Sequence, residues 1–170
     1  MVPELQLLRS DHVSEVMEFE MANRAFFVTA VSDRGDEYFE HFTEQHNKLV
    51  AEQQAGTGAF YLLVDGNSKV LGRFNLDFDK VGTAVLGYRV AQHMCGQGVA
   101  TATVQDMCHL ARTRHDVRTL RAATADSNVA SQRVLIKSGF VPVGPADPAD
   151  LGGKPGTWYE RDLTVGSRSE

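Results

Sequence analysis

Along the first fifty positions, apolar residues recur mainly at helical spacing. Residues 4–9 read as a short strand. After them come Ser10 and Asp11, either of which can cap a helix carrying Val13, Val16, Met17 and Met21 on one face. The segment ANRAFF at 22–27 ends or bends that helix. Phe39, Phe42, His46, Leu49, Val50 and Gln53 share a second, mostly apolar face. A second amphipathic helix is therefore predicted over about residues 36–54, stopped by the GTG at 56–58.

The pattern then changes to that of strands. AFYLLV and KVLGRFNLDF flank DGNS, whose residues suit the turn of a hairpin, and TAVLGYRV at 83–90 reads as a further strand. Gly87 inside it marks either a bend or a backbone that a ligand approaches closely. Ala100, Val104, Met107, Cys108 and Ala111 return to helical spacing as far as Arg114, and TLRAAT at 119–124 follows as a strand. Strand, helix, strand implies a right-handed parallel crossover. A fourth helix is predicted from Asn128 to Lys137, with Gly139 as its left-handed stop, and FVPV and TWYERDL close the fold as strands. The expected class is mixed α/β (α+β): a mostly antiparallel sheet with one parallel pair and about four helices. One domain is expected over residues 1–165, with 166–170 as a frayed tail.

Composition narrows the partners. The chain has 170 residues, 42% of them hydrophobic and 23% charged, and a formal charge of −5. That balance is globular, argues against a general nucleic-acid binder and suits a cationic or amine partner. No apolar run is long enough to span a bilayer and the N-terminus lacks a secretory pattern, so a soluble cytoplasmic protein is expected, with no membrane partner. Cys95 and Cys108 are expected as reduced thiols, and the six histidines lack metal-ligand spacing, so no metal is expected.

The stretch CGQGVATA, Cys95 to Ala102, carries the chemistry. Two glycines at the mouth of a helix let backbone approach a ligand, and the helix start offers unpaired N–H groups and a positive dipole end, which suits an anion such as a phosphate. A P-loop would need Lys then Ser or Thr where Val99 and Ala100 stand. A dinucleotide fingerprint would want glycine or alanine at Thr101 and should follow the first strand, not about the fourth.

The segment Cys95-Gly96-Gln97-Gly98-Val99-Ala100 instead resembles the R/Q-x-x-G-x-G/A pyrophosphate loop of the GNAT superfamily of acetyl-CoA-dependent N-acetyltransferases, with Cys95 in place of the usual Arg or Gln. NVASQRVLIKSGF, Asn128 to Phe140, is similar to the family's second motif, in which an asparagine opens a helix and Gly-Phe closes it. LQLLRSDHVSEVMEFE, ANRAFF, LGYRV and LGGKPGTWYERDL extend the resemblance to the branch of RimJ- and RimL-type ribosomal-protein N-terminal acetyltransferases.

The resemblance implies acetyl-CoA as co-substrate. Main-chain N–H groups of Gly96, Gln97, Gly98, Val99, Ala100 and Thr101 would hold its pyrophosphate. Tyr88, Val90 and Gln92 would pair with the pantetheine amides in a gap between splayed parallel strands, and Asn128 would bond the pantetheine or simply cap its helix. Many members carry a tyrosine acid where this chain has Leu135; Ser131 is then either the proton donor to the leaving thiolate or an ordinary first-turn serine. No carboxylate stands where relatives carry a base, and Asp77, Glu18 and His93 are only substitutes for one. Asn23 and Arg24 either line the acceptor entrance or cap the first helix, and Trp158 packs in the closing hairpin. The implied acceptor is a primary amine, such as the N-terminus of a ribosomal protein; the alternatives are a polyamine or aminoglycoside, or a CoA-binding module without turnover. The resemblance is also compatible with a homodimer.

Overall fold

The computed structural model describes residues 2–165, so the tail expected at 166–170 lies outside the described residues. The strands are β1 (Glu4–Leu7), β2 (Gly58–Val64), β3 (Val70–Phe78), β4 (Thr83–Val90), β5 (Thr119–Ala125), β6 (Val141–Ala146) and β7 (Gly156–Asp162). They form one sheet in the order β1-β2-β3-β4-β5-β7-β6. Pairing is antiparallel for β1 with β2, β5 with β7, and β6 with β7, while β4 runs parallel to β5. The expected mostly antiparallel sheet with one parallel pair is present.

Six α-helices stand among the described residues: α1 (Val13–Ala22), α2 (Arg24–Phe27), α3 (Asp36–Glu40), α4 (Phe42–Gln54), α5 (Val99–His115) and α6 (Val129–Lys137). The count exceeds the expected four for two local reasons. ANRAFF bends the chain at Asn23 and then makes a helical turn of its own, and the helix expected over 36–54 breaks at His41, with φ −112° and ψ 32°.

The chain forms two compact units, Met1–Asn75 with Tyr88–Cys95, and Leu76–Gly87 with Gly96–Glu170. In the first, β2 is buried at every position, which is why AFYLLV reads as an unbroken apolar run and not as an alternation. Leu8, Val16, Phe19, Phe27, Phe42, Phe60 and Leu62 share its core. The polar residues on the face of α4 have defined work. His46 donates from Nε2 to the Arg9 carbonyl at 2.8 Å, and Gln53 donates to the Leu8 carbonyl and accepts from the Phe60 N–H. In the second unit Val104, Met107, Ala111, Leu120 and Leu135 are buried.

No helix among the described residues is long and apolar enough to cross a membrane.

Candidate active site

In the second unit the glycine loop leads into α5. Gly96 and Gly98 have φ of 77° and 78°, left-handed values that cost an L side chain about 1–2 kcal/mol, so glycine belongs at both. A Cβ at either would meet nothing within 4 Å. These glycines are therefore required by backbone conformation and not by crowding. Gly98 is the N-cap of α5 and, having no side chain, places no cap over the first turn. The loop is solvent-exposed from Cys95 to Gly98. Uncapped N–H donors at the positive end of a long helix, with room in front of them, fit a phosphate.

The β4–β5 ladder is short. It pairs Thr83 with Thr119, Ala84 with Leu120 and Val85 with Arg121, although the strands continue to Val90 and Ala125. β5 remains fully paired to β7 along its other edge, from Thr119 to Ala125. Ladder pairing on the β4 side thus ends by Leu86 and Ala122. Gly87 lies in this stretch without a positive φ, and a Cβ there would meet nothing within 4 Å, so the backbone beside it is open.

Asn128 caps α6, accepting from the Ser131 N–H at 3.2 Å. Ser131 sits half-buried in the first turn. Leu135 is 1% exposed and serves as core. Trp158 on β7 lies opposite Ala123 and Gly144, with the Arg121 guanidinium 4.2 Å from its ring centroid; Arg121 also pairs with Glu160 at 2.9 Å. Asp77 is exposed on β3.

In the first unit Tyr88 stacks on Phe74, with centroids 5.7 Å apart and planes 11° from parallel, and Val90 is buried. Gln92 is more committed. Its N–H goes to Asn23 Oδ1 at 3.0 Å and its carbonyl accepts from Cys95 N–H at 3.1 Å. Asn23 also donates from Nδ2 to the Phe19 carbonyl at 2.9 Å. Its carboxamide thus ties the end of α1 to the chain after β4.

A cavity of about 450 Å³ opens beside Asn23 and Gln92, lined also by Glu15, Glu18, Lys69 and His93. Both candidate substitute bases in this unit, Glu18 and His93, border it.

Arg24 is held by two carboxylates and a ring. It grips Asp33 through Nε at 2.9 Å and Nη2 at 2.7 Å, reaches Asp36 at 2.8 Å, and lies over the Phe39 ring at 4.5 Å. Its hydrogen bonds hold the Asp33 carboxyl down to about 2 and raise the guanidinium's own pKa.

One cluster escaped the sequence reading. Glu20 on α1, 1% exposed, meets Arg73 at 2.7 Å, Arg89 at 3.1 Å and Arg34 at 3.4 Å. Burial alone pushes its carboxyl up, but the charges of Arg73, Arg34 and Arg89 and the Arg73 hydrogen bond together outweigh it, and the pKa lies below the ordinary value. Burial and the neighbouring Arg34 depress the pKa of Arg89. A signal was available: Arg73 and Arg89 are charged residues set directly beside apolar and aromatic strand residues, Phe74 and Tyr88 with Val90.

Residues 4–141 match the acetyltransferase (GNAT) domain family, most of the chain's length. The chain belongs to the GNAT acetyltransferase family. It is an N-acetyltransferase, and its structural neighbours include the RimJ/RimL type.

The ribosomal-protein-S5-alanine acetyltransferase from Vibrio fischeri superposes with a TM-score of 0.87 at 18% identity, covering 97% of this chain and 95% of that one. RimL, a ribosomal L7/L12 alpha-N-protein acetyltransferase in complex with coenzyme A, gives 0.84 at 22% identity, with coverage of 98% and 97%. AAC(6')-Ib in complex with paromomycin and acetyl-CoA gives 0.79 at 16% identity, with coverage of 100% and 99%. At these identities the likeness is one of fold. No curated protein matches the sequence at a significant level.

Proposed function

We propose that this GNAT domain transfers an acetyl group from acetyl-CoA to a primary amine in the cytoplasm, with a protein N-terminus, such as that of a ribosomal protein, as the acceptor. The observation that carries the reading is the loop at the head of α5: two left-handed glycines before an uncapped first turn, with open space beside both. Acetyl-CoA, when bound, supplies the acetyl thioester.

Main-chain N–H groups from Gly96 to Thr101 hold the pyrophosphate, aided by the positive end of α5. Because these donors are backbone, Cys95 in place of Arg or Gln costs one cation and not the cradle. Tyr88 and Val90 are the strand residues for the pantetheine amides; the backbone of Gln92 is engaged by Asn23 and Cys95, which leaves its side chain for the role. Ser131 Oγ delivers the proton to the departing thiolate, since Leu135 has no acidic proton. The amine is deprotonated by water.

The test is release of CoA thiol from acetyl-CoA in the presence of N-terminal peptides, polyamines and aminoglycosides in separate reactions. Turnover with peptides alone supports the reading. Turnover confined to a small amine replaces the acceptor, and acetyl-CoA binding without turnover leaves a CoA-binding module.

A further inference from the structure

A second cavity, of about 430 Å³, lies wholly within the second unit, between the middle of α5, the end of α6 and the end of β7. Its wall carries Arg112, Lys137 and Arg161, together with His109 and Gln105, and no carboxylate among the described residues. Neighbouring Arg121 is ion-paired to Glu160, but none of these three cations is in an ion pair among the described residues.

Three positive charges around one concavity, with no ion-pair partner among the described residues, repel each other, and an anion seated there removes the repulsion. The cavity is also built. Arg161 is half-buried and fixed by donating from Nη1 to the Ser138 carbonyl at 2.8 Å. Gly139, with φ 91°, brings the chain against it: a Cβ there would lie 3.4 Å from Arg161 Nε. Ser138 in the same wall is 3% exposed, and its buried Oγ has no hydrogen-bond partner among the described residues. A buried hydroxyl with spare capacity is unusual enough to call for a ligand or a water.

We propose that this cavity is a binding site for a phosphorylated small molecule, distinct from the glycine loop. Arginine forks suit phosphate oxygens in two-point contacts, and Lys137 adds a point charge. The volume exceeds that of a single phosphate and falls in the range of small-molecule sites, about 300–1,000 Å³, so an organic phosphate fills it better than the inorganic ion. His109 stands ten residues along α5 from Val99, about 15 Å at the helical rise, which separates this cavity from the pyrophosphate cradle.

Calorimetric titration of the full chain with inorganic phosphate and with a sugar phosphate tests the site. The parent and a Gly98→Glu variant, whose glycine loop is disabled, are expected to bind alike, the sugar phosphate more tightly. Reversing two exposed charges, Arg112→Glu with Lys137→Glu, is expected to weaken binding at least about tenfold without unfolding the protein. Absence of saturable binding by the parent overturns the proposal. So does unchanged binding by the double variant, and loss of binding in Gly98→Glu would move the phosphate to the loop.

Discussion

Arg73 on β3 donates to the buried Glu20 carboxylate of α1 at 2.7 Å, across 53 residues of chain, at a point where both side chains are almost fully enclosed. Removing one partner of such a pair leaves the other charge stranded. Glu20→Gln is expected to cost about 3–5 kcal/mol in urea denaturation, because Arg73, Arg89 and Arg34 then face each other with no carboxylate among them.

The same cluster gives a pH dependence. The folded pKa of Glu20 is depressed, so the unfolded chain binds its proton more readily. The stabilisation is therefore present above the unfolded value of about 4.3 and is lost as pH falls through the lower folded value. Denaturation midpoints of the parent are expected to drop through this acid range, and Glu20→Gln is expected to flatten that part of the profile.

Asn23 separates a structural role from an acceptor role. Asn23→Ala removes the bonds to the Phe19 carbonyl and the Gln92 N–H, at about 1–2 kcal/mol. If the side chain only ties these segments together, urea midpoints fall while KM for the amine stays within about twofold, since uniform binding of the substrate is untouched. A rise in KM with unchanged stability would place Asn23 at the acceptor.

Much of the fold could be read from the chain because local signals agreed. Thr83–Val90 emerged with the expected limits, and α5 and α6 lie within a residue or two of expectation, since glycines or a capping Asn128 mark their starts. The break at His41 was not legible: Phe39 and Phe42 continue one face, and only packing, with Tyr38 edge-on to both rings, shows the turn. β6 runs on to Ala146 past Pro142 and Pro145 because it is an edge strand, where a missing N–H is tolerated, with a register shift between Pro142 and Gly144. Within the site, the glycine loop was legible for its φ requirement. The partners of Glu20 were not, because helical or strand periodicity carries no information about contacts made across tens of residues.

Ser131 is tested apart from the helix it sits in. Ser131→Ala leaves the Asn128 cap, which accepts from the backbone N–H at position 131, so stability should change little. If Oγ protonates the thiolate, single-turnover rates fall roughly 10² to 10⁴-fold with acetyl-CoA affinity unchanged. A single-turnover rate equal to the parent's removes Ser131 from the chemistry.

If the left-handed glycines at the head of α5 hold the pyrophosphate of acetyl-CoA, thermal melting with and without acetyl-CoA reads it out. A ligand that binds only the folded protein adds about 2.7 kcal/mol at a hundredfold excess over Kd, a rise of several degrees for a chain of this size. Gly98→Glu and Gly98→Ala pay the same left-handed strain, about 1–2 kcal/mol, and meet the same open space, so their melting points without ligand should be similar. The expected result is a clear rise for the parent and none for Gly98→Glu, whose carboxylate stands where the phosphates sit. An unchanged melting point of the parent at millimolar acetyl-CoA, or an equal rise in Gly98→Glu, would mean that the loop does not hold the pyrophosphate.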